Sequence, residues 1–144
     1  MKANADFPTI NAKDPQGVDP SGNSYKVLIV DDSMFVRKQL SQILTSEGFT
    51  IVGQAEDGLK GLEMFKELHP NVDLVTMDIT MPNMDGISCL EKIIIFDSNA
   101  KVIMISALGK EDLVKKALLA GAKNYIVKPL DRKKVLERIQ GVLG

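Results

Sequence analysis

Asp78 closes the apolar run Leu74-Val75-Thr76-Met77 and opens the loop-forming stretch Ile79-Thr80-Met81-Pro82-Asn83-Met84-Asp85-Gly86. A carboxylate that leaves a buried strand for a Pro- and Gly-punctuated loop is badly placed for packing and well placed for chemistry. Polar groups end three other apolar runs in the same way: Asp31-Asp32 after Val27-Leu28-Ile29-Val30, Ser106 after Val102-Ile103-Met104-Ile105, and Lys128 after Tyr125-Ile126-Val127. Gathered at one edge, Asp31, Asp32 and Asp78 would repel and raise one another's pKa unless something neutralised them. A hard divalent cation with oxygen ligands does so, and two or three carboxylates with a carbonyl and waters suit Mg²⁺. Lys128 adds a mobile positive charge on the opposite side. Such a site can hold a dianionic phosphoryl group beside a carboxylate, with Asp78 as nucleophile and Mg²⁺ and Lys128 offsetting transition-state charge.

Gathering those residues is a task for the fold. Apolar runs of about five residues, rich in Val and Ile and separated by segments of helical period, read as βα units around a parallel sheet buried on both faces. Parallel strands share one carboxyl edge, where ligands of open α/β sheets bind. Ser33 is a good N-cap for a first helix carrying Val36, Leu40, Ile43 and Leu44 on one stripe, ended by Gly48. A strand at residues 50–55 follows, and Asp57-Gly58 opens a helix with Leu62, Phe65 and Leu68 that stops at His69-Pro70. The third helix runs from near Asp85 to about Asp97 with Ile87, Leu90 and Ile94 inward, and the fourth spans Glu111 to Ala120 before Gly121. Asp131 caps a last helix bearing Val135, Ile139 and Val142. The pattern predicts a doubly wound α/β fold of five parallel strands and five helices in strict alternation.

Composition narrows the function classes. The 144 residues carry a formal net charge of −1 with both signs interspersed, so nothing favours nucleic acid or an anionic membrane as a main partner. The lone Cys89 cannot form an internal disulfide, and neither a secretory apolar core nor a membrane-spanning stretch is present, which points to a reducing cytoplasm. Asp31-Asp32 stands where a dinucleotide fold needs a glycine-rich turn, and its charges would repel a pyrophosphate. No Walker loop occurs, and His69 alone makes neither a triad nor a zinc site; it reads as a solvated helix-end residue. Residues 1–24 read as a flexible N-terminal tail, interrupted by Pro, Gly and Asn, whose Phe7 and Ile10 could alternatively dock on a neighbouring subunit. The folded domain is expected at residues 25–144.

The acidic pair Asp31-Asp32, the segment Met77-Asp78-Ile79-Thr80-Met81-Pro82 with Asp85-Gly86, Ser106-Ala107 and Lys128-Pro129 together resemble the receiver domain of two-component response regulators. With no output domain after Gly144, the likeness is to the single-domain, CheY-like chemotaxis branch, whose fold is flavodoxin-like. The resemblance implies that Asp32 ligates Mg²⁺ directly, Asp31 largely through water, and Thr80 through its backbone carbonyl. Asp78 would be the phosphoacceptor and metal ligand, Lys128 the partner of a phosphoryl oxygen across a cis bond to Pro129, and Ser106 with Tyr125 the switch. Two members are needed because a shift from 1:99 to 99:1 takes about 5.5 kcal/mol, whereas one hydrogen bond to a charged group gives roughly 1.5–3. Ser106 replaces the commoner threonine and lacks its methyl, and Leu108 and Thr80 flank the path of water to an acyl phosphate.

The resemblance further implies a chemotaxis histidine kinase, a flagellar motor switch protein and a phosphatase as partners, with a monomer, or a dimer made by the tail or by domain swapping. Lys110, Lys115, Lys116, Lys123, Lys133 and Lys134 fit either a solvated face or a partner surface. In Ile93-Ile94-Ile95-Phe96 the arc is wider than one helix face needs; burial in the core is the expectation, with an exposed Ile95 as the alternative. Met64, Met77, Met104 and Cys89 read as packing residues. Two other functions share the chemistry. A phosphorelay shuttle would pass phosphate from Asp78 to a histidine phosphotransferase, and a Mg²⁺-dependent aspartyl-phosphate phosphatase would need a second acid where Thr80 stands.

Overall fold

A computed structural model describes residues 16–144. Ten elements alternate: β1 (Lys26–Val30), α1 (Met34–Thr45), β2 (Thr50–Ala55), α2 (Gly58–Leu68), β3 (Leu74–Asp78), α3 (Gly86–Phe96), β4 (Val102–Ser106), α4 (Glu111–Leu119), β5 (Asn124–Val127) and α5 (Arg132–Leu143). The five strands form one sheet in the order β2-β1-β3-β4-β5, and every pairing is parallel. Chain direction reverses its march across the sheet at β1 and β3, the switch point where a crevice opens at the carboxyl edge.

Alternation along each strand sorts side chains to two cores. Leu28, Val30, Val75, Met77, Val102 and Met104 pack with α2, α3 and α4, while Val27, Ile29, Leu74, Ile103 and Ile105 pack with α1 and α5. On the three central strands β1, β3 and β4, residues on both faces are almost fully buried, which explains why these strands read as continuous apolar runs. Gly61 lets α2 settle on β1, since a Cβ there would come within 2.9 Å of both Val30 methyl groups.

The helix caps match the residue types. Ser33, Asp57, Asp85 and Asp131 accept backbone N–H groups of Val36, Lys60, Ser88 and Lys134 respectively. Helix α4 is the exception, with Lys110 at its N-cap and no side-chain hydrogen bond there.

Several expectations change. Residues 16–24 form a turn rather than a free tail: Gly17 donates to the Glu47 carbonyl at 2.8 Å, Tyr25 donates to the Gly17 carbonyl at 2.8 Å, and Val18 bridges Ser24. Glu47 also accepts from Arg132 Nη2 at 2.8 Å, so this turn is tied to the ends of α1 and α5. The suggested docking residues Phe7 and Ile10 lie outside the described residues. Of the run Ile93-Ile94-Ile95-Phe96 on α3, Ile93 is fully buried, Ile94 is only partly buried, and Ile95 is 84% exposed, which overturns its expected place in the core. The helix turns about 100° per residue, so four consecutive apolar residues cannot all face inward. His69 does more than meet solvent: its Nε2 lies 3.2 Å from Asp97 Oδ2, and its ring packs edge-on against Phe96. The bonds His69–Pro70 and Lys128–Pro129 are both cis, the first unforeseen and the second expected. Met77, Met104 and Cys89 are fully buried, and burial pushes the Cys89 thiol up to about 12, which keeps it unreactive.

Candidate functional site

Register decides what meets at the carboxyl edge. Val30 lies opposite Met77, and Asp78 opposite Ile105, so Asp31 and Asp78 follow in one row of the sheet. Ser106 lies opposite Val127, which sets Lys128 one step beyond it. The hydrogen-bond ladder continues past the strand ends, through Asp31 N–H to the Ala55 carbonyl at 3.0 Å and Lys128 N–H to the Ser106 carbonyl at 2.8 Å. Backbone pairing therefore fixes the roots of the polar side chains before any of them interacts.

Asp31, Asp32 and Asp78 each offer a carboxylate oxygen within 4.8 Å of the others. Asp31 and Asp78 are buried, whereas Asp32 is exposed and forms the open side. Lys128 Nζ reaches between the buried pair, 3.4 Å from Asp31 Oδ2 and 3.6 Å from Asp78 Oδ1. Asp31 is further anchored by Ser33 N–H to its Oδ1 at 2.9 Å, and Arg37 Nη1 donates to its backbone carbonyl at 2.7 Å.

The electrostatics are unbalanced in the protein alone. Burial raises the Asp78 pKa to about 7, with the Asp31 charge adding to the rise and Lys128 opposing it. Asp31 is raised as well, chiefly by burial, against the Ser33 N–H and Lys128. One ammonium does not compensate three carboxylates. Moreover, Asp31 Oδ2 is buried without a hydrogen bond of proper geometry, as is Ser106 Oγ. An all-oxygen donor set, partly open to solvent and short of positive charge, fits a hard divalent ion such as Mg²⁺.

Ser106 borders a second feature. A cavity of about 260 Å³ is lined by Ser106, Ala107, Val114, Leu118, Tyr125 and Val127, between β4, α4 and β5. Tyr125 is half-buried on its wall, with the Arg138 guanidinium 5.0 Å from the ring centroid. Thr80 is exposed two residues beyond Asp78, and Leu108 is 80% exposed at the start of the β4–α4 loop. The lysines at 110, 115, 116, 123, 133 and 134 are all exposed. Asp85 spends its carboxylate on the α3 cap rather than on the acidic cluster.

Sequence reading missed Arg37, Asp57 and Asn83. Asp57 reads as a helix opener, and only the fold shows its second oxygen accepting from Asn83 Nδ2 at 2.8 Å. The available signal was local: asparagine after proline is turn chemistry that tolerates the positive φ of 67° found there.

Comparison with known proteins gives a consistent picture. The family described as response regulator receiver domain matches residues 27–140. The chain is 68% identical over 143 residues to the chemotaxis protein CheY of Treponema pallidum, covering 99% of each. It is 48% identical over 121 residues to the chemotaxis protein CheY of Bacillus subtilis, covering 84% of this chain and 99% of the relative. Among solved structures, a chain of the CheX–CheY–BeF3–Mg²⁺ complex from Borrelia burgdorferi superposes with a TM-score of 0.88 at 57% identity, covering 92% of this chain and 99% of that one.

Proposed function

The chain belongs to the response regulator receiver domain family, in its CheY-like chemotaxis branch, and we propose that it accepts a phosphoryl group on Asp78 from a histidine kinase and, so modified, engages the flagellar motor switch. The observation that carries this reading is the buried Asp78 carboxylate, set in a three-carboxylate cluster with Lys128 Nζ at 3.6 Å. When bound by Asp31, Asp32, Asp78 and the Thr80 carbonyl, Mg²⁺ supplies the charge neutralisation that lets an anionic phosphoryl group approach.

The chain's own residues account for the remaining steps. Asp78 in its ionised form attacks phosphorus; the bond to the donor histidine nitrogen breaks, and the imidazole leaves with that electron pair. Lys128 is poised to move from the two carboxylates to a phosphoryl oxygen, because each of its contacts is longer than a tight charge-assisted bond. The Ser106 hydroxyl has no partner to give up and can donate to a second phosphoryl oxygen. Its swing would leave room beside the 260 Å³ cavity for the Tyr125 ring to turn inward and change the α4–β5 surface that a partner reads. Water later attacks the acyl phosphate and restores the Asp78 carboxylate. The protein is thus a signalling regulator taking part in its own modification, working in the cytoplasm with a dephosphorylating partner. Among the described residues no helix is long and apolar enough to cross a membrane.

Intact-mass spectrometry tests the chemistry. One phosphoryl adduct is expected after treatment with a small phosphodonor and Mg²⁺, and none with chelator or in Asp78→Asn. An adduct that persists in Asp78→Asn would overturn the assignment. Retention on a motor-switch peptide by the phosphorylated form alone is expected, whereas transfer from Asp78 to a histidine phosphotransferase would favour a relay.

A further inference from the structure

The loop of residues 79–85 carries Thr80, and it is held from an element that contributes nothing to the carboxylate cluster. Asp57, buried at the N-cap of α2, uses both of its oxygens: Oδ1 accepts the Lys60 N–H at 2.8 Å, and Oδ2 accepts Asn83 Nδ2 at 2.8 Å. Asn83 is the one non-glycine residue with positive φ among the described residues, so its amide is offered at the tip of a turn few side chains tolerate. Gly58 N–H donates to the Met84 carbonyl at 3.1 Å, and a Cβ on Gly58 would overlap that carbonyl. At the other end of the loop, Gly86 N–H donates to the Ile79 carbonyl at 2.7 Å, and a Cβ on Gly86 would overlap the Asp78 carbonyl. The Lys60 N–H, and after it the Asn83 amide, hold the Asp57 carboxyl below the usual carboxylate range, so it remains an anionic acceptor.

We propose that Asp57 and Asn83 form a positioning clamp that fixes the loop bearing Thr80 and thereby sets the Mg²⁺ affinity of the site. The inference rests on the Mg²⁺-dependent phosphoacceptor reading. Asp57 touches neither the ion nor the phosphoryl group. Its action is to remove freedom from the backbone carbonyl that must point at the ion, and outer partners of this kind typically change metal affinity by roughly 10- to 100-fold. Asparagine at 83 rather than glycine is the informative choice. Glycine would satisfy the backbone equally well, and only the amide adds the bond to Asp57.

The test is calorimetric titration of Mg²⁺ into the full chain and its Asn83→Gly, Asp57→Ser and doubly substituted variants. Asn83→Gly keeps the turn and the α2 cap intact. Asp57→Ser keeps an N-cap hydroxyl but is too short to reach residue 83. Each single variant is expected to weaken Mg²⁺ binding about tenfold. The double variant should be no weaker than either, because the two changes break one shared contact. Unchanged affinity in Asn83→Gly, or losses that multiply in the double variant, would overturn the clamp. The phosphodonor assay separates this from the parent reading: wild-type protein that binds Mg²⁺ yet forms no adduct refutes the phosphoacceptor assignment while the affinity series still decides the clamp.

Discussion

The two halves of the sheet's carboxyl edge are built to different standards. On the β1–β3 side, α1 is capped by Ser33, Leu40 and Leu44 are fully buried, and Asp31 is held through its carboxylate and its backbone. On the β4–β5 side, α4 has only nine residues and no side-chain cap, and Leu119 is 85% exposed. Ser106 Oγ is unpartnered there, and a cavity separates it from the surroundings of Tyr125. A rigid half fits the demands of placing charge, since reacting groups lose rate steeply when displaced. An under-packed half fits the demands of switching, since a surface with two arrangements must leave space for the second.

The contrast can be broken most forcefully at Lys128, the charge that joins the two halves. Lys128→Met is expected to lower the rate of adduct formation about 100-fold, as removal of one preorganised charge commonly does; a mass-spectrometric time course checks it. A change of under fivefold would show that the ammonium is not used in the reaction.

Next in size is the strain stored on the rigid side. The Asp78 pKa in the folded chain, about 7, lies above its ordinary value of 3.8. A raised carboxyl pKa means that the folded state holds the proton more tightly than the unfolded one. Its contribution is therefore fully present below pH 4 and is lost as pH rises through 7. In chelator, Asp78→Asn should accordingly be more stable than wild type by about 2 kcal/mol at pH 8, with the difference shrinking below pH 5. Urea melts at the two pH values measure this, and Mg²⁺ should reduce the gap by stabilising wild type. Equal stabilities at pH 8 would mean that the cluster is not electrostatically strained.

On the looser side the effects are smaller. Ser106→Ala should form the adduct at near-normal yield yet lose roughly tenfold in the preference of a motor-switch peptide for the phosphorylated form, the size of one hydrogen bond to a charged group. Because Ser106 Oγ has no partner in the unphosphorylated fold, the same variant should not be destabilised. Arg138→Ala removes the cation that lies over the Tyr125 ring. It should raise peptide affinity of the unphosphorylated form about two- to fivefold, since an exposed cation–π contact contributes roughly 0.5–1 kcal/mol. Peptide titrations monitored by fluorescence anisotropy distinguish both outcomes.

Much of this architecture was legible because its signals are local. Runs such as Val27 to Val30 and Val102 to Ile105 can be read as doubly buried strands without a partner in view, and Ser33, Asp57 and Asp131 declare helix starts through short-range hydrogen bonds. Parallel strand direction then made the gathering of Asp31, Asp78, Ser106 and Lys128 at one edge foreseeable. The exposure of Ile95 stood only as the alternative to burial, because composition at four successive apolar positions does not say which way a helix is rolled on its core. The anchoring of residues 16–24 was not foreseeable, since their turn-forming residues look the same whether the turn is free or bonded to Glu47.

The sequence by itself determined the strands, the helix caps and the polar residue at each strand end, because each depends on neighbours within a few positions along the chain. Only the tertiary structure decided that Lys128 reaches Asp31 and Asp78, that Ser106 Oγ is left without a partner beside a cavity, and that Asp57 meets Asn83 across 26 residues. Those facts depend on sheet register and helix placement, which emerge from packing over the whole core and leave no mark in the order of residues nearby.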